Sequence, residues 1–455
     1  MTRAILSPPL HNWGEGRGRV SGRVRGNRSS PCHAEPLMTA PPHPNLLPTR
    51  GGGVKIWVSV VVAVVLSLWA VTARAEPDPG DWNGVLAAAR GQTVYWNAWA
   101  GDPRINDYIA WAGREAQARF GVSVVHVKLA DTAEAVSRVV AEKAAGRTAG
   151  GSVDLIWING ENFASMRRNG LLFGPWAEGL PHFPLTDPEN NRGVREDFTV
   201  PVDGHEAPWA KAQIVFYHDA AELKEPPRTI PDLLTWARAH PGRFTYPLPP
   251  NFLGSTFLKQ ALIALSGGNA LLYRPAGDDF AAVTAPLWDY LDALHPHLWR
   301  AGRAFPANGT ELRRLLADRE IDIGFSFNPA EAVSAIARKE LPGSVRTYVL
   351  SSGTIGNVSF LGIPFNAAHK AGAMVLADFL LSPEAQARKQ DPAIWGSATV
   401  LAMAKLAPQD RARFARIDLG PSMLRPEELG PPIPEPHPSW MERLEVAWAK
   451  RYTGR

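Results

Sequence analysis

Residues 153–158 read Val-Asp-Leu-Ile-Trp-Ile, a short run almost without polar side chains. A strand covered on one face alternates apolar with polar residues. One covered on both faces does not, and such strands belong mainly to parallel sheets flanked by helices. The surrounding chain repeats the pattern. Residues 93–96 read as a strand, 105–119 as a helix closed by Gly121, and 122–127 as the next strand. A helix over 131–143 puts Val136, Val139 and Val140 on one face, and residues 159–162 lead into a further helix that ends near Gly170. Strand–helix repetition of this kind predicts an α/β fold with a mostly parallel sheet.

A Pro- and Gly-rich stretch over 174–208 separates this part from a fresh strand at 212–217, and a domain boundary is expected near 205–215. Helices are expected at 230–237, 256–265, 283–294, 310–317, 329–339, 367–380 and 440–452. Strands are expected at 321–326 and 345–350, followed by the stretch 356–363. No repeat of fixed period is evident.

The N-terminal part has a different character. Lys55 precedes an apolar run over 56–71, and Ala73-Arg74-Ala75 closes it before Glu76-Pro77-Asp78. Charge, apolar core and small-residue cleavage site in that order predict a signal peptide over 54–75, cut after Ala75. The run is short for a membrane span, and a retained anchor is the alternative. Residues 1–53 are expected to be a disordered or mis-assigned extension, with Met38 one candidate for the true start. Residues 1–75 hold nine of the 48 Lys and Arg residues and two of the 44 acids, so their removal leaves 39 against 42 and takes the net charge from +4 to −3. Global basicity therefore gives no footing for nucleic-acid binding, and no nucleic-acid partner is expected. The lone cysteine, Cys32, falls in the same part, so the exported chain has no disulfide and no thiolate. About 380 residues remain, more than one core usually supports, and two domains are expected.

Polar and aromatic residues gather where strands end, which is where an open α/β sheet binds its ligands. Asn97 and Trp99 follow the first strand, and Asn159, Glu161 and Asn162 follow the third. Trp209 and Tyr217 flank the presumed crossover, and Asn328 follows the strand at 321–326. Such groups line a site for a small, partly aromatic or cationic solute. Taken singly, each fits a core or turn role equally well. Ser255 and Thr256 stand near a helix start and Asn357 in a glycine-bearing loop; they suit an anionic group or an ordinary cap. Neither loop has P-loop spacing. No catalytic motif occurs, and His295-Pro296-His297 reads as a loop rather than a metal site. No catalytic residue, metal ligand or cofactor is assigned.

Residues 95–102 (Tyr-Trp-Asn-Ala-Trp-Ala-Gly-Asp), 154–163 (Asp-Leu-Ile-Trp-Ile-Asn-Gly-Glu-Asn-Phe) and 251–257 (Asn-Phe-Leu-Gly-Ser-Thr-Phe) are similar to motifs of the type II periplasmic solute-binding proteins of ABC importers, within a subgroup described as thiamine-type. Residues 370–388 resemble a late helix shared more widely, and the likeness covers most of 90–455. It implies two α/β lobes about a central cleft: 76–207 with 355–395 as the first, 208–354 as the second, and C-terminal helices over 396–455 against the second. It also implies a monomeric periplasmic receptor that captures a small solute and delivers it to ABC permease subunits. Trp99, Trp209 and Tyr217 would wall the solute, and Asn97, Asn159, Glu161, Asn162 and Asn328 would orient it. Ser255, Thr256 and Asn357 would meet any anionic group. An exported hydrolase or lyase acting on a polysaccharide or phosphoester, and a sensory or adhesive binding module, are the alternatives.

Overall fold

The structure is a computed structural model and describes residues 76–453; the extension and the signal segment expected over 1–75 lie outside the described residues. In chain order the first part comprises α1 (Trp82–Ala89), β1 (Thr93–Trp99), α2 (Pro103–Phe120), β2 (Ser123–Leu129), α3 (Ala133–Ala144), β3 (Leu155–Ile158) and α4 (Gly160–Arg168). A small hairpin, β4 (Glu196–Asp197) and β5 (Val200–Pro201), precedes β6 (Glu206–Gln213) and β7 (Val215–Asp219). Then come α5 (Ile230–Ala239), α6 (Phe252–Leu265), α7 (Phe280–Leu294), α8 (Gly309–Ala317), β8 (Ile323–Ser326), α9 (Glu331–Ala337) and β9 (Val345–Tyr348). The chain returns through β10 (Gly356–Gly362), α10 (Lys370–Leu381), α11 (Pro383–Gln390) and α12 (Pro408–Ala415), and α13 (Pro438–Tyr452) ends the described part.

Local chemistry sets several of these bounds. Asp102 caps α2 by accepting from the Arg104 N–H, Pro103 fits the first turn, and Gly121 ends the helix at φ 69°. The helix expected from residue 256 begins at Phe252, because Asn251 Oδ1 accepts from the Leu253 N–H at 3.1 Å and takes the cap position from Ser255 and Thr256. The helix expected over 367–380 runs over Lys370–Leu381, and Ser382-Pro383, which follows it, also starts α11, where Ser382 Oγ accepts from the Ala385 N–H at 3.2 Å.

The first sheet has the order β2–β1–β3–β10–β6. β1 is parallel to β2 and β3, whereas β10 runs antiparallel to β3 and to β6. Leu155, Ile156 and Ile158 of β3 are buried, as a strand covered on both faces requires. The second sheet departs from the parallel expectation: β7 lies between β8 and β9 and is antiparallel to both. It arrives directly from the first sheet, with no crossover helix to bring it round into their direction. The strand expected over 212–217 is in fact two, since β6 ends at Gln213 in one sheet and β7 starts at Val215 in the other. Ile214 joins them, its N–H bonded to the Ile355 carbonyl at 2.8 Å.

Each lobe has its own core. Val94, Trp96, Ile156, Phe163 and Met374 belong to the first, and Phe216, Phe244, Phe257, Leu291 and Phe325 to the second. The C-terminal residues divide between the lobes instead of packing as a block on the second. Trp395, Val400, Leu406 and Phe414 enter the first core, whereas Trp440, Leu444 and Trp448 on one face of α13 enter the second. α13 also packs against α4 of the first lobe. Among the described residues no helix is long and apolar enough to cross a membrane.

Candidate functional site

The stretch read as a connection over 174–208 contains a tight turn. Asp197 pairs with Val200, leaving Phe198 and Thr199 as its two central residues. Both have left-handed φ, 44° and 67°, as a two-residue I′ hairpin requires. Asn and Gly are the usual residues there; Phe and β-branched Thr are strained, at a cost of about 1–3 kcal/mol each. The surroundings hold them in place. Asp197 Oδ2 accepts the Gly160 N–H at 2.7 Å, at the start of α4. The Phe198 ring packs so closely on Gly160 that a Cβ there would lie 2.8 Å from it.

α6 of the second lobe presents Phe252, Ser255, Thr256 and Lys259 along one helical face. The Lys259 Nζ lies 4.6 Å from the Phe198 ring centroid and 5.4 Å from that of Phe252. It is also 2.7 Å from Glu435 Oε2, with both side chains 1% exposed. That approach is off the line of a hydrogen bond, so Nζ and Oε2 each lack a hydrogen-bond partner. Glu435 is fixed through its other oxygen, which accepts from Asn357 Nδ2 at 3.0 Å. Ser255 Oγ donates to Glu445 Oε1 of α13 at 2.6 Å, and Thr256 Oγ1 donates to the Phe252 carbonyl at 2.6 Å.

Four carboxyl groups, of Glu161, Asp197, Glu435 and Glu445, thus meet one ammonium, and a fifth, Glu206, stands near Asp197. Burial pushes the Glu161 carboxyl up to about 7, with Lys259 pulling it down and Glu445 and Asp131 pushing it further up. Burial holds Asp197 well above the usual carboxylate range; the Gly160 N–H opposes this, and Glu161 and Glu435 add to it. Glu206 is raised by burial and by Asp197, and Glu445 by burial. Glu161 Oε2, Asp197 Oδ1, both oxygens of Glu206 and Asn357 Oδ1 are buried without a partner. Groups left in that condition cost about 1–3 kcal/mol each, which makes their gathering the candidate site.

The expected site residues separate on this map. Glu161, Asn162, Ser255 and Asn357 join the cluster directly: Asn162 Nδ2 donates to Glu161 Oε1 at 3.1 Å, and Ser255 and Asn357 hold the protein's own carboxylates. Asn159 sits half-buried at the cap position of α4, and Thr256 is spent on its own helix. Asn97 is fully buried in β1, where its carboxamide meets the Tyr95 carbonyl at 3.2 Å and Arg138 at 3.3 Å. Trp99 ends β1, 36% exposed, its ring over Gly101. Asn328 Oδ1 accepts from the Ala330 N–H at 3.1 Å, and its Nδ2 reaches the Trp395 carbonyl at 3.5 Å, joining the lobes at another point. Trp209 and Tyr217 have no exposed surface. Trp209 packs edge-on to Trp96 and Trp157, and Tyr217 lies in the second core against Gly324.

Asp197, Phe198, Glu206, Lys259, Glu435 and Glu445 escaped the sequence reading. Only Lys259 carried a signal, its four-residue spacing from Ser255; the others come together through tertiary contact alone. A surface depression of about 440 Å³ lined by Glu178, Glu189, Arg192, Arg195, Glu196 and Asp203 includes none of the cluster. Among the described residues no set of His, Cys, Asp and Glu is arranged to hold a metal ion.

A family model described as bacterial extracellular solute-binding protein matches residues 111–409. The chain belongs to that family. The solute-binding protein is 44% identical over 390 residues to Protein YnjB of Escherichia coli (strain K12), covering 85% of this chain and 97% of that one. Its fold is that of the periplasmic binding protein AfuA from Actinobacillus pleuropneumoniae, described with exogenous fructose-6-phosphate bound. There the TM-score is 0.56 at 14% identity, over 80% of this chain and 99% of AfuA. A structure described as a putative spermidine/putrescine ABC transporter from Listeria monocytogenes gives 0.54 at 16% identity, over 79% and 98%. The solute-binding protein therefore has the two-lobed α/β type II fold with a central cleft. Its family places it in the periplasm as the binding component of an ABC importer, working with a membrane permease and not as an enzyme.

Proposed function

We propose that the protein captures a small organic cation, an amine or a charged aromatic of the thiamine type, between α4, the β4–β5 turn and α6. One observation carries this reading: Glu161, Asp197, Glu435 and Glu445 are drawn together around a single ammonium, Lys259. Carboxylates and aromatic faces recognise positive charge, and a cation entering there relieves the repulsion among the acids. Glu161, Asp197 and Glu435 would ligate it, Phe198 and Phe252 would wall it, and Trp99, Asn159 and Asn328 would shape the approach. The spermidine/putrescine description of the Listeria protein names solutes of this class, but at 16% identity that likeness carries the fold alone. The carboxylates carry the chemistry.

Native mass spectrometry of the purified protein, followed by thermal-shift titration with thiamine, putrescine and spermidine, tests the reading against fructose-6-phosphate as the anionic control. A bound solute raises the melting temperature by mass action. Cations alone should raise it; a shift from the sugar phosphate alone would overturn the assignment. The signal segment is proposed to be cut after Ala75, so N-terminal sequencing of the periplasmic form should begin at Glu76.

A further inference from the structure

Lys259 is already held as a solute ammonium would be. Two phenyl rings, 4.6 and 5.4 Å from its Nζ, and a carboxylate at 2.7 Å are the groups that recognise an alkylammonium. The protein's own side chain fills that seat. The walls do not depend on it: Phe198 is kept by its turn and by Gly160, Phe252 stands edge-on to Phe327 at 5.4 Å, and Glu435 is bonded to Asn357. The occupant is a buried four-carbon side chain whose 2.7 Å contact with Glu435 is not aligned as a hydrogen bond. A second acid feels its charge. Glu445 is held by Ser255, one turn earlier on the same face of α6, and Lys259 acts on it electrostatically.

We propose that Lys259 is an internal competitor, occupying between Phe198, Phe252 and Glu435 the seat that a solute's ammonium takes, and turning to Glu445 when the solute enters. This rests on the cation reading above. In the empty protein the lysine compensates part of the buried acid cluster; on binding, one cation replaces another and Glu445 receives the displaced one. Affinity then reflects the difference between two ammonium groups in one seat, which favours solutes offering more charge or more apolar area than a lysine side chain.

Isothermal titration calorimetry with putrescine, spermidine and thiamine on wild type, Lys259→Met and Glu435→Gln tests this. For whichever probe binds wild type, Lys259→Met should bind about tenfold tighter or better, and Glu435→Gln about tenfold weaker or worse. A Lys259→Met protein with the circular dichroism and cooperative melt of wild type, yet equal or weaker binding, overturns the proposal. If that variant does not fold, Glu435→Gln decides: affinity equal to wild type refutes the seat, and weakened binding supports it. Wild type that binds none of the three probes overturns the cation reading itself, and the competitor with it, a different result from tight wild-type binding left unimproved by Lys259→Met.

Discussion

Gly160 donates its backbone N–H to Asp197 Oδ2 at 2.7 Å, tying the start of α4 to a hairpin 37 residues further along the chain. The bond places a carboxyl group that burial keeps well above its usual range beside Glu161, and it seats Phe198 against the same glycine. Gly160 is at φ 60°, so it supplies both the backbone conformation and the space the ring needs.

Gly160→Ala should therefore lose stability on two counts. The left-handed backbone costs an L-residue about 1–2 kcal/mol, and the new methyl must displace the Phe198 ring. Urea denaturation should show a lower midpoint, with solute affinity falling as Phe198 shifts. An unchanged midpoint would mean that the hairpin moves away freely.

Trp99→Ala should weaken solute binding at least about tenfold with little effect on folding. The ring is one-third exposed at the end of β1 and rests on Gly101, outside either core. Calorimetry returning the wild-type affinity removes Trp99 from the site.

The Glu161 carboxyl, raised from 4.5 to about 7, holds its proton more tightly in the folded protein than in the unfolded chain. The stability this contributes is complete below pH 4.5 and is lost as pH rises through about 7. Asp197 and Glu445, also raised by burial, act in the same sense, and Lys259 opposes them. Cation binding has the opposite need, because it favours the ionised acids. Between about pH 5.5 and 8 the unliganded protein should become less stable while cation affinity rises. Glu161→Gln should flatten part of both trends; melting curves and calorimetry across that range check the sign.

Trp448 on α13 is 1% exposed, and its Nε1 donates to the Tyr246 hydroxyl at 2.8 Å. Trp448→Ala should cost about 3–5 kcal/mol. By contrast, Glu442→Ala removes only an exposed ion pair, 3.6 Å from Arg168, and should change stability by about 0–1 kcal/mol. Parallel denaturation curves distinguish an α13 anchored by its buried face from one held by surface charge.

The first lobe was legible because its periodicity is local: an apolar β3, a capped α2 and a glycine stop at 121 can each be read within a few residues. The break at Ile214 was not, since a strand changing sheets keeps its β pattern throughout. The candidate site was half legible. Glu161, Asn162, Ser255 and Asn357 stand near element ends, where polar residues draw notice. Asp197 and Phe198 were hidden by a turn whose residues break the usual turn chemistry. Glu435 and Glu445 lie far along the chain, beyond the residues matched by the family model, and only folding brings them to Lys259 and Ser255. Trp209 and Tyr217 lie buried in the two cores, where aromatic residues beside a crossover pack, although Trp209 Nε1 and the Tyr217 hydroxyl have no hydrogen-bond partner there.

β6 passes into β7 through Ile214 alone, and that residue's N–H is bonded to Ile355, on the return passage into β10. So short a passage suits a pivot better than a slide of one sheet along the other. A small torsional change at these residues would be multiplied by the length of a lobe, so a pivot there would carry the outer rims far and leave each interior as it was. Occupancy would thereby become an angle, which a permease touching both rims could read.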